Sequence, residues 1–326
     1  MVEKLTDFVI LSTGMDEQTL LKSCNEIYGL NAVRASVLRD GPDNIVWTLE
    51  TENGKKYVAR MSKRELSGDI AFEAEWLKVL FADGVPVVPI IETRDKKPFA
   101  ILPTGKALTV FEFVNGRHLS FGVDQPPPLP AVKLAAEALA KLHNISRRHN
   151  VSLSRRRTVF TELERVMAKQ KEVEEKVPGG KEFVAEVEKV LFWGKNQKFT
   201  PVLIHNDYRI DNLFFGENDK VAAILDFDWS CIGPAVKDVS HTLVVWSFPD
   251  SAEQHWREVF DTFLDNYNRH AEEIIKRDNN LKNWILFSCL SDTATYIIDR
   301  LERGEIKPVA GSFMYQKFQY FEKFYE

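Results

Sequence analysis

The spacing of apolar positions changes along the chain and marks out two kinds of territory. Leu20, Cys24 and Ile27 recur at helical spacing within residues 16–28 and stop at Gly29, which predicts a short helix. Residues 32–61 turn strand-like: Ile45, Trp47 and Leu49 alternate with polar or smaller neighbours, and Tyr57 to Met61 resumes an extended run. Between them Asn53-Gly54 predicts a hairpin turn with positive φ at both central residues. A helix is predicted over 67–81, with Phe72, Trp76, Leu77 and Leu80 on one stripe and Gly84 beyond its end. Strands are predicted over 85–92, 98–103 and 107–114, ahead of Asn115-Gly116. Together these describe a small, mostly antiparallel sheet with one helix packed on it.

The run Gln125-Pro126-Pro127-Pro128-Leu129-Pro130 marks a break. Helices are predicted beyond it over 131–145, 160–176, 181–193, 252–275 and 281–303. An island of short strands, Val202–Ile204, Leu213–Phe215 and Val221–Leu225, interrupts them. A mixed lobe followed by a helical lobe is an arrangement in which ligands commonly bind at the junction.

Composition narrows the function. The chain has 326 residues, 44% hydrophobic and 28% charged, enough for a sizeable core and unlike a disordered segment. A net charge of −5 gives no overall attraction to phosphate backbones, so nucleic acid is not an expected partner. Cys24, Cys231 and Cys289 are scattered and form no C-x-x-C pair, which reads as core thiols in a reducing compartment. The first residues lack a basic region followed by an apolar stretch, and no apolar run approaches the ~20 residues needed to span a bilayer. The expectation is a soluble, cytoplasmic protein with no membrane partner.

Candidate chemistry concentrates in His205-Asn206-Asp207-Tyr208-Arg209-Ile210-Asp211-Asn212, a polar segment between two short apolar strands. Asp226 follows fourteen residues after Asn212, in Leu225-Asp226-Phe227-Asp228 at another strand end. Phosphoryl transfer needs a carboxylate to orient or accept the hydroxyl proton and hard oxygen ligands to hold Mg²⁺ on the phosphates. Asp207 suits the first role; Asn212 and Asp226 suit the second.

The string His-x-Asp-x-x-x-x-Asn, with Leu-Asp-x-Asp after it and Gly233-Pro234-Ala235-Val236-Lys237-Asp238-Val239 downstream, resembles the aminoglycoside phosphotransferase and homoserine/choline kinase superfamily. The resemblance spans roughly residues 30–245 with motif order preserved. It implies an α+β, protein-kinase-like bilobal fold, with a nucleotide-binding lobe over 1–114 and a catalytic, substrate-binding helical lobe over 115–326. It implies ATP and Mg²⁺ as cofactors, Asp207 as catalytic base, and Asn212 and Asp226 as metal ligands, with Asp228 assisting a second metal. His205 would brace the loop, Asp238 would cap the next helix and steady the loop, and Arg209 would stabilise charge on the transferring phosphate.

Upstream, the resemblance makes Arg39–Trp47 the turn over the phosphates, with Asn44 in it and only one glycine. Arg60, in Val58-Ala59-Arg60, would pair with the α/β-phosphates in place of a lysine, with Lys63 as its rival. Glu73 would be its partner in the following helix, while Glu75 points about 200° away. Thr109–Gly116 resembles the hinge strand, with Phe111 as gatekeeper and the backbone of Glu112 and Val114 meeting adenine; locally it reads equally as an edge strand.

For the phosphate acceptor, the candidates are Trp246 and Phe248, then Trp284, Asp292, Tyr296 and Asp299, the last three on one helix face. Carboxylates beside aromatics suit an amine-bearing acceptor; a solvated acidic edge beside core aromatics is the competing reading. Arg147, Arg148, Arg155, Arg156 and Arg157 form a basic cluster, read as a solvated loop or a site for an anion. The expected activity is transfer of the ATP γ-phosphate to a hydroxyl of a small soluble molecule: a homoserine-like amino acid, an amino alcohol, an aminosugar or an aminoglycoside. A non-catalytic nucleotide binder would have no need of Asp207. A protein kinase fits less well, because Asp226-Phe227-Asp228 replaces Asp-Phe-Gly and no Ala-Pro-Glu follows.

Overall fold

Alternation along the second strand is the clearest link from sequence to structure. In the computed structural model, which describes residues 15–41, 44–63, 67–119, 125–248 and 255–324, strand β2 (Asn44–Thr51) buries Ile45, Trp47, Leu49 and Thr51 and half-exposes the residues between them. It pairs antiparallel with β1 (Ala32–Asp40) and β3 (Lys56–Ser62). The sheet continues to β6 (Ala107–Glu112), which pairs with both β4 (Ile90–Ile91) and β5 (Ala100–Ile101).

The β2–β3 turn departs from the type expected of Asn-Gly. Only Gly54 takes positive φ (+77°); Asn53 does not. Thr51 N–H donates to Lys55 O and Gly54 N–H to Thr51 O, each at 2.9 Å, closing a three-residue loop whose last residue is left-handed. The Asn53 side chain instead accepts from Thr51 Oγ1 at 2.6 Å, steadying the loop from within.

Strands predicted over 85–92 and 98–103 shrink to two residues each. Pro86, Pro89, Pro98 and Pro103 lack the N–H that a ladder requires, so pairing survives only between them. The predicted 107–114 strand ends at Glu112.

Helix α1 (Glu17–Ser23) starts on Asp16, whose carboxylate accepts Thr19 N–H at 2.7 Å. It continues as a π-helical turn, Cys24–Tyr28, and ends at Gly29 with φ +71°. Leu20, Cys24 and Tyr28 join Ile45, Trp47, Leu49, Met61 and Val110 in the core of this unit. Helix α2 (Ser67–Ala82) buries Phe72, Trp76, Leu77 and Leu80, as its stripe predicts.

The chain forms two compact units: one runs to Asn115 and takes in Val151–Arg155, the other comprises the rest. The second unit is built on helices α3 (Leu129–Arg148), α4 (Thr161–Ala168), α5 (Gln170–Lys176), α6 (Gly180–Lys195), α7 (Ala235–Ser247), α8 (Arg257–His270), α9 (Asn279–Glu302) and α10 (Phe313–Phe324). The predicted 160–176 helix is two helices, because Lys169 leaves helical geometry (φ −111°, ψ 19°). The predicted 252–275 helix is α8 alone. Its first residues lie outside the described ones, and it ends early because the Asn268 side chain both accepts from and donates to the Ile275 backbone, each at 2.8 Å.

Two short ladders interrupt the helices: β7 (Pro201–Ile204) pairs with β10 (Cys231–Pro234), and β8 (Leu213–Phe215) with β9 (Val221–Ile224). The three cysteines are buried and form no disulfide. No described helix is long and apolar enough to cross a membrane.

Candidate active site

Strand β7 delivers the chain into the polar segment that starts at His205, and two hydrogen bonds stitch that segment to the residue after β9. The His205 imidazole Nε2 lies 2.8 Å from Leu225 O. Leu225 N–H donates to Asn212 O at 2.8 Å, which seats Asn212 beside the residue preceding Asp226. Asn212 in turn donates its Nδ2 to both the backbone oxygen (2.8 Å) and Oδ2 (2.9 Å) of Asp207. Two residues here hold left-handed backbone without being glycine: Asn206 at φ +66° and Asp226 at φ +62°. Such conformations cost of order 1 kcal/mol or more and persist where surroundings over-determine them.

For Asn206 those surroundings are explicit. Its N–H donates to Asp238 Oδ1 at 2.7 Å, its Nδ2 to Trp229 O at 3.1 Å, and its Oδ1 accepts from the Lys237 ammonium. Arg157 lies 3.8 Å over the Trp229 ring, bracing the far side. His205 N–H donates to the other Asp238 oxygen at 2.7 Å. Asp238 is therefore no helix cap. It stands inside the first turn of α7, which begins at Ala235, and turns its carboxylate onto the loop.

Behind Asp238, His143 of α3 places Nε2 3.1 Å from Oδ2 and Nδ1 2.8 Å from the Tyr267 hydroxyl of α8. Burial pushes the Asp238 carboxyl up, but the hydrogen bond and charge of His143, with His205 and Lys237, outweigh it and hold it at about 2. Burial pushes the His205 imidazole down, against the pull of Asp238 and Asp207.

Burial also raises Asp207, against the pull of His241 and Arg209, a direction suited to a proton acceptor. Arg209 is exposed, two residues away. Asn212 commits its Nδ2 to Asp207, so its carbonyl Oδ1 is the atom it can offer a cation. With the carboxylates of Asp226 and Asp228, both half-buried, the donors are all oxygens. That set fits a hard divalent cation that completes its shell with phosphate and water. No group of three or more His, Cys, Asp or Glu suited to a metal occurs among the described residues.

In the first unit Arg60 forms a two-pronged pair with Glu73, at 2.9 Å and 2.6 Å. Its guanidinium also lies 5.0 Å from the Phe111 ring centre. Lys63 pairs with Asp40 at 2.5 Å instead, and Glu75 is exposed. Asn44 opens β2 and accepts Gly41 N–H at 2.9 Å; Pro42 and Asp43, the centre of that turn, lie outside the described residues. Glu112 donates its own N–H to Pro89 O at 3.0 Å, and Val114 follows beyond the strand.

The expected acceptor residues are not brought together. Trp246 is fully buried and donates its indole N–H to Tyr208 O at 2.9 Å. Trp284 is buried against Trp193 and Phe287, and Phe248 lies in another aromatic cluster. All three are core residues that offer no surface to a ligand. Asp299 is paired with Arg165 at 2.8 Å, and Tyr296 lies under the Arg300 guanidinium. Asp292 meets His241 of α7, the helix that carries Asp238, at 3.0 Å. Within the arginine cluster, Arg147, Arg148 and Arg157 are paired with Glu273, Glu272 and Glu162, so these three are not set out for an anion.

Sequence reasoning passed over Lys237, His241 and His143. Little in the sequence signalled the two on α7, because Lys237, Asp238, Ser240, His241 and Thr242 together look like a solvent-facing stretch.

Residues 34–273 match the profile of the phosphotransferase enzyme family. Homoserine kinase of Caulobacter vibrioides is 27% identical over 237 residues, 70% of this chain and 70% of its own. Homoserine kinase of Rhodopseudomonas palustris is 28% identical over 225 residues, 66% of this chain and 64% of its own. Among solved structures, amicoumacin kinase hAmiN in complex with AMP-PNP, Ca²⁺ and Ami is similar at a TM-score of 0.74 and 16% identity, over 96% of this chain and 95% of its own. The microcompartment-associated aminopropanol kinase reaches 0.66 at 16% identity, over 94% and 96%. At such identities these structures speak for the fold, the protein-kinase-like one. The family profile runs from the first strand of the sheet to just past α8, across both units, and on that match the chain belongs to the phosphotransferase enzyme family.

Proposed function

We propose that this chain transfers the γ-phosphate of ATP, with Mg²⁺, to a hydroxyl of a small molecule bearing an amine. The observation that carries the reading is the Asn212–Asp207 hydrogen bond at 2.9 Å, inside a loop tied to Leu225. It ties the carboxylate that would receive the hydroxyl proton to the amide whose oxygen would hold the metal. Homoserine kinases among the sequence relatives, and amicoumacin and aminopropanol kinases among the structural ones, support a small, amine-bearing acceptor.

In this reading Asp207 orients the acceptor hydroxyl and takes its proton as the oxygen attacks; its raised affinity for protons favours that step. Asn212 Oδ1 and Asp226 would hold Mg²⁺, with Asp228 assisting, and the ion when bound would neutralise charge on the phosphates. Arg60, aligned by Glu73, binds the α/β-phosphates. Asn44 belongs to the turn over them, while Phe111 and the backbone of Glu112 and Val114 border adenine. Arg209 offers a positive charge to the transferring group, and His205 keeps the loop in register.

ADP release with Mg-ATP is the test, against amino alcohols, hydroxy amino acids, aminosugars and aminoglycosides. Turnover well above background with one acceptor class supports the proposal. Nucleotide binding without turnover of any acceptor counts against it.

A further inference from the structure

The helix that steadies the catalytic loop also carries a buried histidine that the mechanism above does not use. His241 is 1% exposed, places Nε2 3.0 Å from Asp292 Oδ2, and leaves its buried Nδ1 without a hydrogen-bond partner among the described residues. It stands one helical turn beyond Lys237 and Asp238, which hold the side chain and backbone of Asn206, the neighbour of Asp207. Across from it, Ser288 of α9 donates to Lys237 O at 3.4 Å, one turn before Asp292. Asp292 is thus fixed near the reacting loop by two packed helices.

Its setting differs from that of a surface carboxylate. The Asp292 side chain is about one third exposed, with one oxygen taken by His241 and the other, Oδ1, without a hydrogen-bond partner among the described residues. Burial would raise it, yet His241, Lys237 and Arg209 hold it below the usual carboxylate range, so it stays ionised. Its charge is felt at Asp207, along with those of His241 and Arg209. An ionised, half-covered carboxylate with a free oxygen near the base is suited to a cation that arrives with the substrate.

We propose that Asp292 binds the ammonium group of the acceptor, and that His241 is the positioning residue that fixes its carboxylate while the acceptor hydroxyl meets Asp207. The assignment rests on the function proposed above and deepens it: the acceptor is selected for its positive charge. His241 acts only through Asp292, by fixing one oxygen so that the other faces the ligand.

The test uses the full chain with Mg-ATP and two acceptors of similar size, 3-amino-1-propanol and 1,3-propanediol. Wild type should favour the amine in kcat/KM. Asp292→Asn should lower that preference by about tenfold or more, as expected for loss of a charge-assisted hydrogen bond. Asp292→Glu, which keeps the charge, should keep more of it. His241→Gln should raise the KM for the amine more than it changes kcat, a split that general loosening of the fold would not give. Calorimetric binding of the amine in the presence of AMP-PNP gives a second readout. If the amine binds wild type and Asp292→Asn equally, or if the preference survives in Asp292→Asn, the assignment is overturned. If wild type turns over neither acceptor, it is the phosphotransferase reading that fails, and calorimetry alone then decides Asp292.

Discussion

Asp238 Oδ1 accepts the backbone N–H of Asn206 at 2.7 Å, across 32 residues of sequence. With Oδ2 holding His205 N–H, one carboxylate satisfies two adjacent backbone donors and fixes the entry to the loop that carries Asp207. An asparagine could accept only one of them and would turn an NH₂ against the other.

Asp238→Asn should therefore destabilise by about 3 kcal/mol, the scale of breaking a buried, hydrogen-bonded charge. The pH dependence has a definite sign. Held at about 2, Asp238 is depressed below the ordinary carboxylate pKa of ~3.9. Its contribution, on the order of 2 kcal/mol, is complete above about pH 5 and is lost as pH falls through 3.9 toward 2. Urea midpoints measured from pH 5 to pH 2 should fall more steeply in wild type than in Asp238→Asn. Parallel curves would remove Asp238 as the source.

Asp207→Asn keeps the shape of the side chain and an oxygen for the Asn212 amide while removing the proposed base. Turnover should fall by about 10²–10⁴-fold, with nucleotide affinity changed little. Steady-state kinetics beside AMP-PNP calorimetry separate the two quantities. Near-normal turnover would take Asp207 out of the base role.

How much of this was legible in the sequence varies by element. The β2 strand could be read because Ile45, Trp47 and Leu49 alternate with partners that remain half-exposed, and period two is unambiguous. The loop could be read because its residue types and spacing are rare together. Helix α7 could not: Lys237, Asp238, Ser240, His241 and Thr242 look like a solvent face, yet all are buried and turned to hydrogen-bond partners or tight packing inside the protein. Periodicity reports polarity, and here polarity marks an internal network. Trp246 and Trp284 misled for the converse reason, since aromatics near a site in sequence are as apt to be its foundation as its lining. The proline-limited strands β4 and β5 show a third limit, because an apolar run still needs N–H groups to pair.

Arg60 lies between Glu73 and Phe111, with 12% of its side chain exposed. A lysine would carry the same charge but could not present two parallel donors to Glu73. Arg60→Lys is expected to raise the KM for ATP about tenfold while leaving the acceptor KM nearly unchanged. ATP titrations at saturating acceptor give the answer, and an unaltered KM would detach Arg60 from the phosphates.

His255 offers a pH effect in a different window. Its ring stacks on Phe248 at 4.5 Å with planes 12° apart, and its Nε2 is buried without a partner among the described residues. Burial holds the imidazole down to about 4; Asp261 pulls the other way, and Arg257 and Arg277 reinforce the shift. A base depressed below its ordinary value of ~6.5 favours the fold in its neutral form, so its contribution is complete above about pH 6.5 and is lost as pH falls toward 4. This loss precedes most of that from Asp238. His255→Phe keeps the aromatic stack and removes the titration, so its melting temperature should fall less than that of wild type between pH 7 and pH 4.5. Equal slopes in the two proteins would mean that the acid sensitivity of this cluster lies elsewhere.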